Sequence, residues 1–444
     1  MAQATKTHLW RRYEPSARCP WNLSRAAHLW RRAGFGASWP QLQQSVKAGP
    51  QKTVDMLLRP KGDISGFNAE CDSFTQSVAS PAALRPWWLR RMILTPDPLR
   101  EKMTLFWHDF FAADGASGAG GAQMRDHIAA LRAKALGRFG ELLGKIAGDT
   151  ATVLSMGSTA NGKTTPDEAF ASQFLRRYTV GAGNFSQEDV RQTARAMTGW
   201  SVLRNKMRYF AEQHDGGKKT LLGRTGAFDS DDVVRIASRH PATARNLVQR
   251  LYRLFISETG QPEEALIAPL IESLAKDFDI SKLVETMLRS SLFFSDAVMG
   301  QRIKSPVEFA VGIIRGLEAN VSTVRLADDL AALGQNLCYP PTPDGWAHGR
   351  HWINQATVAG RDNLAAALLA GSGPYGGKCD PAALAKRHAR ADDKSAASML
   401  ASVLCAPGGV APEPWKLLPP TGTPADRLRK TAYRLIARPE FQLA

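Results

Sequence analysis

The sequence predicts an all-α protein, a large single-domain bundle of many helices with long irregular loops and at most a small β-hairpin. Three observations predict it. Apolar residues recur at three- and four-residue spacing along most of the chain, the recurring segments are bounded by helix starters and by Gly or Pro, and alternating strand-like stretches are few. No fixed-period repeat is visible, which argues against a solenoid. The 444 residues carry 57 Lys and Arg against 41 Asp and Glu, a net charge of +16. With 44% hydrophobic and 22% charged residues the composition is that of a globular protein, which excludes disordered, collagen-like and coiled-coil classes.

The elements follow in order. Residues 24–33 place Ala26, Leu29, Trp30 and Ala33 on one face and stop at Gly34 and Gly36. Ser38 with Pro40 starts the next helix, which Gly49 and Pro50 close. The same pattern predicts helices over 82–94, 97–112, 122–136, 138–147, 167–179, 187–198, 230–239, 242–256, 262–277, 281–292, 306–319, 324–336 and 425–437. Residues 200–210 read as a short hairpin ahead of a Gly-rich loop over 214–226. Residues 115–121, 339–355, 371–380 and 406–424 read as loops, and 339–355 is dense in Pro, Gly, Trp and His, as functional loops often are.

Charge and cysteines bound the function. The basic excess concentrates in residues 1–60 and 151–260, a pattern that suits nucleic acid, anionic lipid or an acidic protein. No dense basic run or known nucleic-acid module accompanies it, which argues against nucleic acid. Cys19, Cys71, Cys338, Cys379 and Cys405 lie far apart without a CxxC, so reduced structural thiols are expected rather than a zinc or redox site. No apolar run spans a bilayer and the first residues contain no signal peptide, so the chain as written reads as cytoplasmic, with no transmembrane segment.

Three constellations bear on chemistry. Gly157 to Thr164 matches the phosphate-loop pattern, with Lys163 and Thr164 as its ligands. Pro166 delays the following helix, only 151–156 offers a preceding strand, and Ser295 interrupts the apolar run before Asp296, so ATP and GTP are not expected. On a helix over 97–112, Glu101, Leu105, His108 and Asp109 share one stripe, from which a histidine and two carboxylates could bind a divalent metal or act as an acid–base pair. His214 and Asp215 precede a cluster of Asp229, Asp231 and Asp232. That cluster lacks the spacing of a calcium loop and fits a helix cap at 229 or 230.

The collinear segments WNLSRAAHLWRRAGFG from Trp21, REKMTLFWH from Arg100, EDVRQTARAMTGW from Glu188, HDGGKKTLLG from His214, HPATAR from His240, SPVEF from Ser305 and RPEFQ from Arg438 resemble the bacterial family called domain of unknown function 1800. The resemblance covers about residues 20–444. It implies a basic extension over 1–20 and a single helical domain over 21–444, with no established reaction. It also implies relatives that are often exported and encoded beside sulfatase-like proteins, which makes such a protein a possible partner. Relatives carry histidine where this chain has Phe110, and carboxylates where it has Gln173 and Arg176, while Glu168 is retained. A divergent binding or assembly protein with a degraded His/carboxylate site is therefore the leading expectation. The rival is a metal-assisted hydrolase or oxygen-dependent enzyme. Its catalytic candidates are Glu101, His108, Asp109 and Glu168, and its metal-ligand candidates are His108, Asp109, Glu168, His214 and Asp215. A basic nucleic-acid-binding protein is the third.

Overall fold

The computed structural model describes residues 7–390, 392–404 and 413–444. Residues 1–6 of the basic extension, Cys405 and the 406–412 part of the C-terminal loop lie outside the described residues. Among the described residues, 21 α-helices make up 58% of the structure and strands 6%, so the class is all-α as expected. No helix among them is long and apolar enough to cross a membrane.

Three helices form the centre because almost every residue they carry is buried: Leu23–Ala33, Pro98–Phe111 and Pro306–Gly316. Each begins on a side chain that accepts from the first turn. Asn22 accepts from the Arg25 N–H, Asp97 from Arg100, and Ser305 from Glu308 in a reciprocal box that also satisfies the Ser305 N–H. Around them a connected apolar cluster runs from Tyr13 to Phe441.

Buried arginines tie these helices together by donating to the free carbonyls at helix C-termini. Arg315 donates to Ile93 at 2.6 Å and Met92 at 3.3 Å, in the last turn of Pro81–Leu94, and to Gly36 at 3.2 Å. Arg32 donates to Ile256, past the end of Pro241–Phe255, at 3.1 Å and to Val298 at 3.0 Å. Below them lies a buried ion cluster in which Lys102 and Arg302 both pair with Glu308.

The sheets are small. Trp200–Leu203 pairs antiparallel with Lys206–Tyr209, and Arg204 and Asn205 turn the hairpin with left-handed φ of 51° and 58°. Ala160–Asn161 adds a third strand against Trp200 and Ser201. Part of the expected 214–226 loop is a second ribbon, Lys219–Leu221 against Arg224–Gly226.

Other departures have local causes. Residues 151–156, expected as extended, form the helix Thr150–Ser155, because Asp149 accepts from the Thr152 N–H and starts it. The phosphate-loop pattern therefore follows a helix and leads into an antiparallel strand. Pro50–Leu58, Ile64–Ser73, Gln355–Leu369, Pro381–Arg387 and Asp393–Leu404 are helices beyond those expected. The segment expected as one helix over 167–179 is Glu168–Gln173 followed by a wider π turn, Phe174–Tyr178. Such turns re-aim side chains and recur at functional sites.

Candidate functional site

The π turn and the Pro98–Phe111 helix meet end to end. Arg177 donates to the Asp109 carbonyl at 2.6 Å and to the Phe110 carbonyl at 2.7 Å, and the Tyr178 hydroxyl donates to Phe111 at 2.8 Å. Three carbonyls that the helix leaves free are thus satisfied by one neighbouring turn. The loop over 342–348 then closes on both elements. Gln173 donates to the Pro343 carbonyl at 3.3 Å, and Arg176 and Arg177 reach Asp344 at 3.0 and 3.3 Å.

Asp109 is the anchor of that loop. Its carboxylate accepts the Trp346 N–H at 2.8 Å and bonds His348 Nε2 at 2.9 Å. Gly345 makes the approach possible. Its φ is +84°, and a Cβ there would stand 2.6 Å from the Asp109 carbonyl oxygen.

Asp109 and His348 line a cleft of about 370 Å³, a size that suits a small ligand. Phe106, Phe110 and Leu254 supply its apolar wall; Arg250, Arg253, Arg302, Arg350, His351 and Glu258 supply charge and polarity. Both carboxylates are engaged, Asp109 by His348 and Glu258 by Arg302 at 3.4 Å. Arg250 lies over the Phe110 ring, 4.9 Å from its centroid, and donates Nε to Asn246 at 3.2 Å. No ion pair joins Arg250, Arg253 or Arg350 to a carboxylate among the described residues. Burial, then repulsion from Arg177, pulls the Arg250 guanidinium down to about 10, so it stays charged at neutral pH. Desolvation at the cleft wall works against a charged His348, whose side chain is still 59% exposed, and the Asp109 carboxylate overcomes it, so the imidazole is raised above its ordinary value.

A second, larger cleft of about 640 Å³ is lined by Arg138, Glu141, Asp231, Arg235, Lys276 and Asp277 among others. Its two signs nearly balance, and Asp232 and Lys282 already pair with Arg235 and Asp277. It lacks an uncommitted cation beside a His/Asp pair, and we place the functional site in the first cleft.

The structure distributes the other expected residues. Glu101 does not share a face with Asp109: it is buried against Arg91 and Arg132 and accepts from the Trp88 indole at 3.1 Å. Burial opposes its charge, and Arg132 with Arg91 overcomes it, holding the carboxyl below the usual range. His108 packs edge-on against that indole, 5.2 Å from it between ring centroids, and also touches His127 and Trp346. Its burial, with His127 adding a smaller effect, keeps it neutral, well below the usual histidine value. Glu168 is exposed and accepts from Gln187 at 3.0 Å. His214 bonds the Thr198 carbonyl at 3.1 Å, and Asp215 is taken by Arg195 at 2.7 and 3.2 Å. Asp229 caps Ser230–Ser238 in a reciprocal box with Asp232. Among the described residues no three His, Cys, Asp or Glu side chains gather to hold a metal ion. The five expected ligands therefore do not form one centre.

Sequence reasoning found Asp109 and flagged the 339–355 loop, but missed the cleft's other groups. His348 lies 239 residues from Asp109, and Arg250 sits on a helix of which the sequence predicts only the extent. The signal available was the co-occurrence of Pro, Gly, Trp and His in one long loop.

A model of the family described as a protein of unknown function (DUF1800) matches residues 28–443. No curated protein and no solved structure matches the chain. With nearly its whole length matched, the chain belongs to the DUF1800 family.

Proposed function

We propose that the protein binds a small anionic molecule, bearing a carboxylate or phosphate group, in the cleft beside Asp109 and His348. Arg250 carries the reading: a half-buried guanidinium without a carboxylate partner among the described residues, lining a cleft next to two further cations. An oxyanion would complete its hydrogen bonding in a bidentate fork. This reading keeps the binding role that the family resemblance implies and adds a ligand class. Phe110 and Arg176, at positions where relatives carry histidine and a carboxylate, here support Arg250 and hold Asp344.

Calorimetric titration with inorganic phosphate and with a small dicarboxylate tests the reading. Arg250→Ala should weaken binding about tenfold to a hundredfold, the worth of one charge-assisted contact, while Arg235→Ala in the larger cleft leaves it unchanged. Equal affinity in Arg250→Ala rejects it. Because Asp109 raises the His348 pKa, the cleft gains a positive charge below that value and loses it above. Affinity should therefore fall as pH rises through the His348 titration.

The Asp109–His348 pair favours a second reading, acid–base catalysis on the bound anion. A carboxylate that orients an imidazole is the arrangement of a proton-transfer pair. In that case His348→Gln abolishes turnover while a cleft-bound anion is retained.

A further inference from the structure

The cleft beside Asp109 shows more apolar surface than a bare inorganic ion would use. The helix Pro98–Phe111 is buried along almost its whole length, and the residues that break its burial are Arg100, Phe106 and Asp109. Phe106 and Asp109 stand three positions apart, hence on one face, and both line the cleft. Phe106 is therefore an aromatic side chain left half-buried on an otherwise buried helix, at the cleft wall. Pro241–Phe255 contributes in the same way. Arg250, Arg253 and Leu254 share a face of that helix and line the cleft, and Leu254 is half-buried there. Single half-buried apolar side chains are ordinary on a protein surface. Two from different helices that line one cleft beside cations make the mixed wall of a ligand pocket. Phe110 already shows the pairing such a wall favours, since its ring lies under the Arg250 guanidinium, 4.9 Å from centroid to charge.

We propose, resting on the anion reading above, that the ligand is an aromatic anion: a single ring that carries a carboxylate or phosphate group. The head group meets the planar Arg250 fork, and the ring removes Phe106 and Leu254 from water. Two features favour a flat ring over a saturated one of the same size. Phe106 gains an aromatic–aromatic contact beyond the area buried, and the neighbouring guanidinium groups of Arg253 and Arg350 are attracted to a ring face. A polyhydroxylated body would instead press its hydroxyl groups against Phe106 and Leu254 without partners. Size agrees. A void of about 150 Å³ accepts one benzene molecule, so the cleft's 370 Å³ or so holds a ring together with its head group.

The test is calorimetric titration of the full chain with pairs matched in head group: benzoate against acetate, and phenyl phosphate against inorganic phosphate. Cyclohexanecarboxylate serves as the saturated control. Each aromatic ion should bind about tenfold or more tightly than its parent ion, and benzoate about threefold or more tightly than cyclohexanecarboxylate. Phe106→Leu should keep an apolar advantage but lose the preference for benzoate over the saturated ring. Phe106→Ala should shrink the ring's advantage while leaving inorganic phosphate unchanged. In the wild-type protein, NMR should show cross-relaxation between the ligand ring protons and the Phe106 ring, a readout that needs no variant. Parent ions that bind as well as their aromatic partners, a saturated ring that binds as well as benzoate, or an undiminished ring advantage in Phe106→Ala would overturn the aromatic assignment and leave the anion reading standing. Failure of every anion to bind would overturn both.

Discussion

Gly345 and Glu308 illustrate how single residues set local constraints here. Gly345→Ala places a methyl group against Asp109 at a backbone conformation that L side chains rarely adopt. It should push the loop off the Asp109 carboxylate at a cost of about 1–3 kcal/mol. The measurable consequence is the His348 pKa, which NMR titration should show falling toward its ordinary value. Glu308 is the common partner of Lys102 and Arg302, and all three are buried. Burial opposes its charge, but Arg302 and Lys102 hold its carboxyl far below the usual range. Glu308→Gln leaves buried Lys102 without a counter-charge and Arg302 with Glu258 alone, and should cost about 3–5 kcal/mol in urea denaturation. At this scale the sequence was partly legible. Asp109 stood out because it follows a histidine on an apolar helix. Glu101 was misread because helical spacing shows which residues share a face but not which neighbour that face meets. The arginines that claim it come from residues 91 and 132.

Helices with a polar cap and a sharp apolar stripe were readable, such as Leu23–Ala33 and Ile280–Arg289, capped by Asn22 and Asp279. Gln355–Leu369 was not, because its Ala-rich sequence carries no contrasting stripe even though Asn354 caps it. The π turn was also hidden, since a one-residue widening leaves apolar spacing almost unchanged. It nonetheless presents Arg177 to the end of Pro98–Phe111. The same bonding recurs at Arg315, whose planar head reaches two different elements at once. Lysine's donors radiate from a single atom on an unbranched stem and do not span the two elements as the planar guanidinium fork does. Arg315→Lys should therefore lose about 1.5–3 kcal/mol of stability despite keeping the charge, measurable as a shifted denaturation midpoint at constant slope.

Across the molecule, ten arginines and three lysines are buried among the described residues against three buried carboxylates. Much of the basic excess is thus spent on internal carbonyls and ion clusters, where it cannot touch a phosphate backbone. Composition could not show this, because it counts charges without locating them. Acid sensitivity follows from the buried histidines. Burial lowers His28, with Arg32 and Arg31 adding to it, and burial lowers His108, with His127 adding to it. Below about pH 6.5 the unfolded chain binds two protons that the native state refuses, so stability falls as pH drops, approaching about 2.7 kcal/mol per pH unit. Urea midpoints between pH 7 and pH 5 should show it, and His108→Gln should halve the slope. We propose that residues 21–444 unfold as one unit, which predicts coincident tryptophan-fluorescence and circular-dichroism transitions.

The reach of Arg32 has a consequence for synthesis. It donates to carbonyls at residues 256 and 298, and His28 bonds the carbonyl of Phe293. When the first helix leaves the ribosome, none of those acceptors has been translated. The N-terminal segment must therefore wait, with buried-type polar groups and apolar side chains exposed, until some 270 further residues emerge. Contacts of such sequence separation form late and slowly, and chains that wait in this state are prone to aggregation. Nascent-chain length, more than final stability, should then govern how much of the protein reaches its native state in a cell.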